Sequence, residues 1–265
     1  MKIPFSKLSG AGNDFIVIDN RDLRLNLHPE IVSRLCTRRT GIGADGLILI
    51  DHTPEASFSM LYHNADGYPG SMCGNGGRCA VWFAYCAAIP STDGLHFTFL
   101  ANNERYEGWV TAPGIVRLKM LEPVAFRHDL AVGSHCCHSV NTGSPHALLF
   151  VDDLEHLPVT TIGREIRHRT DFFPGGTNVN FIAVTAPDSL AVRTFERGVE
   201  DETLACGTGA VASALMSYRL GKVQSRTIPV RVRSGDLLEV SFDETMSEVF
   251  LTGPAEVVYT GEVEL

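Results

Sequence analysis

Cys73-Gly74-Asn75-Gly76-Gly77 and Cys206-Gly207-Thr208-Gly209-Ala210 are near-copies of one pentapeptide, set 133 residues apart in a chain of 265. Each leads from a polar loop into an apolar run that reads as a helix, so each cysteine precedes a helix start. The same offset relates Gly10 to Gly143, Asn13 to His146, Gly43 to Gly176, Asp45 to Asn178 and Tyr85 to Tyr218. A shared offset of about half the chain marks an internal duplication and predicts two halves of similar fold facing one another across a cleft. A thiol at a helix start lies near unpaired backbone N–H groups and the positive end of the helix dipole, which lower its pKa and seat a carboxylate. Two such thiols on one substrate would remove a proton from one side and deliver one from the other, which is racemase or epimerase chemistry.

Composition narrows the class. A chain of 28.9 kDa buries a large core as one domain or as two of about 130 residues, and the repeat favours two. With 22 Lys+Arg against 31 Asp+Glu and a pI near 5.5, no basic surface is expected for nucleic acid or anionic lipid. The start, Met1 to Lys7, lacks the apolar core of a signal peptide, and the longest apolar run, Cys79 to Ile89, is too short to span a bilayer. A cytoplasmic location is expected. Seven cysteines, an odd number, speak against a disulfide framework. Cys36, Cys79 and Cys86 sit among apolar residues on predicted helices and read as small buried hydrophobes.

Strand signals recur in both halves, at Phe15–Ile18, Leu47–Ile50, Phe58–Tyr62, Phe97–Leu100, Tyr106–Val110 and Ile115–Met120, then at Ala147–Val151, Asn180–Val184, Ala191–Glu196, Ile228–Val232, Leu237–Phe242 and Glu248–Thr252. Helices are predicted over Pro29–Arg38, after Cys73, over Thr161–Arg169, and from Cys206 to Leu220 with Gly221 as the stop. The expected fold is α/β (α+β): two pseudo-symmetric halves, each a strand-rich roll around a cysteine-led helix. The halves are expected at 1–122 and 123–252, with the last strand, within 253–265, returning to the first half.

Competing chemistries lack their signatures. His135-Cys136-Cys137-His138 crowds four potential ligands, but adjacent residues on a strand point to opposite faces and no C-x-x-C spacing occurs, so no metal is expected and the segment reads as a polar loop between the halves. No G-x-S-x-G elbow supports a serine hydrolase. The four lysines, Lys2, Lys7, Lys119 and Lys222, lie in no polar constellation suited to a pyridoxal Schiff base, which favours a cofactor-free mechanism. The polar clusters 10–15, 63–67, 142–146, 176–181 and 196–198 suit a zwitterion: asparagine amides bind ammonium and carboxylate alike, Glu196 pairs with ammonium and Arg197 clamps a carboxylate.

The segments Lys7-Leu8-Ser9-Gly10-Ala11-Gly12-Asn13-Asp14-Phe15, Gly41-Ile42-Gly43-Ala44-Asp45-Gly46, Asn64-Ala65-Asp66-Gly67, Met72-Cys73-Gly74-Asn75-Gly76-Gly77-Arg78-Cys79, Gly176-Thr177-Asn178-Val179-Asn180-Phe181 and Glu196-Arg197-Gly198 with Leu204-Ala205-Cys206-Gly207-Thr208-Gly209 together closely resemble diaminopimelate epimerase. The resemblance spans nearly the whole chain in family order. It implies a two-domain pseudo-symmetric fold, a homodimer, and cofactor-free interconversion of LL- and meso-2,6-diaminopimelate for lysine and peptidoglycan synthesis. By position it implies Cys73 and Cys206 as the acid/base thiols. Gly74, Asn75, Gly207 and Thr208 would cradle the reacting carboxylate, with Asn13, Asn64, Asn178, Glu196 and Arg197 as further substrate contacts. His146 and Glu196 resemble the pair that tunes the thiols. Three departures stand out: Gly46 where many members have Gln, Ser144 where many have Asn, and Val199-Glu200-Asp201-Glu202 one residue longer than usual, expected as a loop bulge. The nearest rival is a proline-type racemase or hydroxyproline epimerase or dehydratase, whose cyclic substrate has no distal carboxylate to occupy Arg197. A non-catalytic amino-acid-binding protein would have no need of both cysteines.

Overall fold

The computed structural model describes residues 1–70 and 72–265 and divides into two compact units, Met1–Leu118 with Gly253–Leu265, and Lys119–Thr252. The first boundary thus falls four residues before the one expected at 122.

The first unit runs β1 (Lys2–Gly10), β2 (Asn13–Asp19), α1 (Pro29–Cys36), β3 (Gly46–Asp51), β4 (Phe58–Asn64), α2 (Gly74–Cys86), β5 (His96–Ala101), β6 (Glu104–Ala112) and β7 (Ile115–Lys119). The second runs β8 (Val124–Val132), β9 (His135–Asn141), β10 (Pro145–Phe150), α3 (Val159–Arg167), β11 (Asn178–Ala186), β12 (Ser189–Glu196), β13 (Asp201–Thr203), α4 (Gly207–Arg219), β14 (Thr227–Arg231), β15 (Leu237–Phe242) and β16 (Val249–Pro254). The last strand, β17 (Glu256–Glu264), returns to the first unit and pairs antiparallel with β1, Lys2 opposite Glu264 and Ser9 opposite Glu256.

Strand pairing repeats the duplication. The first unit is ordered β17-β1-β2-β3-β4-β5-β6-β7, with successive pairings antiparallel, antiparallel, parallel, antiparallel, parallel, antiparallel and antiparallel. The second is ordered β8-β9-β10-β11-β12-β14-β15-β16 with the same sequence of senses. Each first parallel pairing is bridged by an outer helix (α1, α3) and each second by an inner one (α2, α4), as a parallel crossover requires. The ends of α2 and α4 are each 133 residues apart.

Alternation along the strands places the two helices of each unit on opposite faces of its sheet. Ile16, Ile18, Leu47 and Leu49 pack with Val32 and Leu35 of α1; Phe15, Ile48 and Met60 face Gly76 of α2. In the second unit Ala147, Leu149, Val179, Phe181 and Phe195 pack with Val159 and Ile166 of α3. α2 and α4 are buried on nearly every side, with Cys79, Ala80, Val81 and Ala84, and Ala210, Val211, Ala212, Ala214, Leu215 and Met216, all at 0% exposure. They are the central helices around which the sheets wrap.

Three readings need correction. His135–His138 is not a loop but the start of β9, between β8 and β10, with Cys137 buried beneath Leu149 and Val159; histidine and cysteine carry little strand signal, so the pairing was not legible. Cys86 is exposed, because α2 emerges from its sheet at its last residue. The long stretch after Arg197 is a turn with Glu200 at φ 61°, followed by β13 paired on Thr194–Glu196, rather than a bulge.

Candidate active site

Cys73 and Cys206 each occupy the N-cap of their central helix in extended backbone, φ −107° and −121°. The first intrahelical bonds run from Gly77 N–H to Cys73 C=O (2.8 Å) and from Ala210 N–H to Cys206 C=O (2.9 Å), and neither helix has a side-chain N-cap bond. The first-turn N–H groups of both helices, Gly74–Gly76 and Gly207–Gly209, therefore point beyond the helix end beside a sulfur, where the helix dipole favours negative charge.

In the first unit the cysteine meets a hydrogen-bond chain of fixed direction. Arg78, fully buried in the second turn of α2, donates to Asn75 Oδ1 (3.0 Å), Gly74 O (3.3 Å) and Pro254 O (3.3 Å). Because a guanidinium only donates, Asn75 turns its amide nitrogen to Asn13 Oδ1 (3.4 Å). Asn13 donates its own Nδ2 to Asp45 Oδ2 (2.6 Å) at the start of β3. A carboxylate only accepts, so Asn13 Oδ1 is held toward Cys73, whose Sγ donates to it at 3.6 Å. Asp45 is braced in turn by Arg38, which also grips Asp14 (2.8 and 3.1 Å), and Asp14 pairs with buried Lys7 (2.7 Å). Arg38 and Lys7 hold the Asp14 carboxyl below the usual range against the opposing effect of its burial.

The second unit places different groups at the equivalent positions. His146, the counterpart of Asn13, is fully buried, its Nδ1 3.0 Å from Asn180 Nδ2. Burial, with the nearby positive charge of Arg197, pushes its pKa down to about 3, so it is a neutral imidazole. Cys206 Sγ lies 3.6 Å from Thr208 Oγ1, and Thr208 O accepts from Thr142 Oγ1 (3.0 Å). Asn178, 5% exposed, accepts the Arg197 backbone N–H at Oδ1 (2.8 Å), while the Arg197 guanidinium reaches Gly175 O (3.4 Å). Glu196 accepts from Thr203 Oγ1 (2.8 Å) on β13.

The structure thus brings together Cys73, Gly74, Asn75 and Asn13 in one unit, and Cys206, Gly207, Thr208, Asn178, Glu196 and Arg197 in the other, with His146 beneath them. Asn64 stands exposed at the end of β4, opposite Gly46 in register. Among the described residues no cluster of three or more His, Cys, Asp or Glu has metal-binding geometry.

Four residues with no role assigned from the sequence enter this geometry: Arg78, Asp45, Asn180 and Tyr62. Tyr62 shares the α2-facing side of β4 with Met60 and Asn64. A Cβ at Gly46 would lie 2.5 Å from its Cε2 and 3.0 Å from its hydroxyl; one at Gly70 would lie 2.6 Å from Tyr62 Cδ1 and 2.8 Å from Asn64 Oδ1. Its ring also meets Phe15 edge-on at 5.9 Å. Tyr62, together with the backbone carbonyl oxygen of His63 at 2.6 Å from the Gly46 Cβ position, therefore fills the space that a glutamine at position 46 would need. The period-two spacing of Tyr62 and Asn64 on one strand was the available signal.

Comparison with known proteins agrees with this arrangement. The family model for diaminopimelate epimerase matches residues 5–105 and 138–258. The chain is 59% identical over 258 residues to the diaminopimelate epimerase of Chlorobaculum tepidum, covering 97% of this chain and 100% of that one. It is 41% identical over 278 residues to that of Aquifex aeolicus, covering 98% and 97%. The fold is also similar to that of a hydroxyproline epimerase from Agrobacterium vitis (TM-score 0.69, 15% identity, 100% of this chain and 93% of that one). A PhzF-family phenazine biosynthesis protein from Bacillus anthracis is similar over the whole of both chains (TM-score 0.73, 14% identity). With its two cysteine-capped helices in two units of one topology, the chain belongs to the diaminopimelate epimerase family.

Proposed function

We propose that this protein interconverts LL- and meso-2,6-diaminopimelate, with Cys73 and Cys206 as the acid/base pair, in the synthesis of lysine and peptidoglycan. The observation that carries the reading is the repeated N-cap cysteine: one sulfur and one set of first-turn N–H groups per unit. In the reaction one sulfur, as thiolate, takes the α-proton and the other, as thiol, returns a proton to the opposite face, so the pair titrates as a unit. Asn13 Oδ1, an acceptor aimed at Cys73, favours the thiol form there.

An α-amino carbanion has no intrinsic stabilisation. The reacting carboxylate, held by N–H groups at Gly74, Asn75, Gly207 and Thr208, takes up the developing charge; one such donor is worth about 3 kcal/mol. Asn64, Asn178, Arg197 and Glu196 read the distal ammonium and carboxylate, and substrates lacking either group forgo those polar contacts. His146 and Glu196 tune the thiols. The scheme needs no cofactor and no metal.

A net charge of −9 gives no support to nucleic-acid binding, and among the described residues no helix is long and apolar enough to cross a membrane. A cytoplasmic location and a homodimer complete the proposal, the dimer supported by the exposed Val257, Val258 and Tyr259 on β17. Steady-state rates with diaminopimelate, lysine, glutamate and proline test the substrate. Turnover of diaminopimelate far above the others is expected, and a preference for proline would overturn the assignment.

A further inference from the structure

Asn180, on β11, lies outside the set of expected substrate contacts, yet it is fully buried and both of its amide hydrogens have partners. Its Nδ2 donates to the backbone carbonyl of Ala147 (3.2 Å) and lies 3.0 Å from His146 Nδ1; its Oδ1 accepts from Thr194 Oγ1 (3.0 Å). The Ala147 carbonyl can only accept, so the amide cannot be turned over without setting two oxygens against each other. Both amide hydrogens are thus committed, one to Ala147 and one to His146. His146 Nδ1 must then be the lone-pair nitrogen, and the ring proton resides on Nε2. Nε2 is buried and has no partner among the described residues. A protonated ring would put an Nδ1–H against the amide N–H, so the contact also opposes the imidazolium.

We propose that Asn180 is a positioning residue that locks His146 as the neutral Nε2–H tautomer, presenting an N–H donor, and never a base, from beneath the Cys206 helix. This rests on the role given to His146 above. The consequence for the reaction is that His146 cannot take a proton from a thiol. It can only donate a hydrogen bond, which favours a thiolate or a substrate oxygen brought against Nε2. The duplication supports the reading. At the equivalent position of the first unit Asn13 does the opposite, offering an acceptor, with Asp45 in the orienting role that Asn180 fills here. The two units have the same backbone topology and opposite hydrogen-bond polarity, which biases a pair holding one thiol and one thiolate toward one of its two arrangements.

The test is ¹⁵N NMR of the full-length protein labelled at histidine, with His146→Gln used to identify the His146 signals. The wild type should show a pyridine-type, unprotonated Nδ1 and a pyrrole-type, protonated Nε2 at neutral pH. In Asn180→Asp the carboxylate can only accept, so the proton should move to Nδ1 or the ring should become doubly protonated, and kcat should fall about tenfold or more while KM changes less than about threefold. Wild-type protein with its proton on Nδ1 overturns the proposal without any variant having to fold. So does a folded Asn180→Asp protein whose His146 keeps the wild-type tautomer. Full activity of His146→Gln would instead remove the role given to His146 in the reaction and leave the tautomer assignment standing, so the two failures are distinct.

Discussion

Gly76 and Gly209 are the same position of the repeat, the third residue after each cysteine, and alanine should have opposite consequences at the two. At Gly209 an added Cβ would fall inside the contact distance of Asn180 Oδ1, 3.3 Å from Asn180 Cγ and 3.2 Å from Cys206 Sγ. To make room, Asn180 must retreat by about 1 Å, which disrupts its bonds to Ala147, Thr194 and His146. Three hydrogen bonds at about 1 kcal/mol each, less about 1 kcal/mol gained by replacing glycine in a helix, leave a loss of about 2 kcal/mol, within the usual cost of overpacking. Activity should fall further, by about 100-fold, the scale for a misplacement of about 1 Å at a reacting centre. At Gly76 the nearest atom is the Met60 Cε methyl, 3.3 Å away, the end of a flexible side chain that can swing aside, followed by Ile48 Cδ1 at 3.5 Å and Phe15 Cε1 at 3.6 Å. Gly76→Ala should therefore be neutral or stabilising by up to about 1 kcal/mol, with kcat within about threefold of wild type. Urea unfolding and steady-state epimerisation of both variants decide it. Equal stability and activity of the two, or a Gly209→Ala protein as active as wild type, would refute the reasoning about Asn180.

Other consequences follow from single groups. Asp45→Asn removes the obligate acceptor that orients Asn13, so Asn13 can turn its amide N–H toward Cys73 and favour the thiolate. Alkylation of Cys73 by iodoacetamide should then extend to lower pH while kcat drops about tenfold, and an unchanged alkylation profile would contradict the oriented chain. His146, with a folded pKa near 3 against an ordinary value of 6.5, binds its proton first in the unfolded chain as pH falls. Its contribution is therefore intact above about pH 6.5 and lost on the way down to pH 3, reaching about 2 kcal/mol at pH 5. His146→Gln should lose less stability than wild type between pH 7 and pH 5, and an identical loss would refute the assignment. Gly46→Gln should fold poorly, because a Cβ there would lie 2.6 Å from the backbone carbonyl oxygen of His63 as well as against the Tyr62 ring; thermal unfolding checks it, and a melting temperature equal to wild type would contradict the packing.

Much of the architecture was legible because the duplication left its mark in glycine, asparagine and cysteine spacing, and the offset read from two pentapeptides holds for both ends of α2 and α4. The central helices were recognisable from their cysteine-glycine starts and apolar bodies. β1, β8 and β9 were not, since their polar residues alternate on an edge or within a sheet whose pairing is set by distant sequence. Of the site, the residue types proposed to meet a substrate could be named position by position from the resemblance. What escaped was orientation. That Asp45 fixes Asn13, that Arg78 fixes Asn75 and that Asn180 fixes His146 are facts of which atom donates to which, and residue types alone do not contain them. Tyr62 escaped because its role depends on the absence of a side chain at Gly46, a feature visible only once β3 and β4 are paired.

The central claim, that both sulfurs move the α-proton, is tested most directly by incubating LL-diaminopimelate in D₂O and following α-deuterium incorporation and epimerisation together, for wild type, Cys73→Ala and Cys206→Ala. Wild type should give meso product carrying deuterium at the inverted carbon, and each single variant should keep its fold and lose epimerisation. If either variant, Cys73→Ala or Cys206→Ala, still epimerises at the wild-type rate, the two-thiol account is wrong.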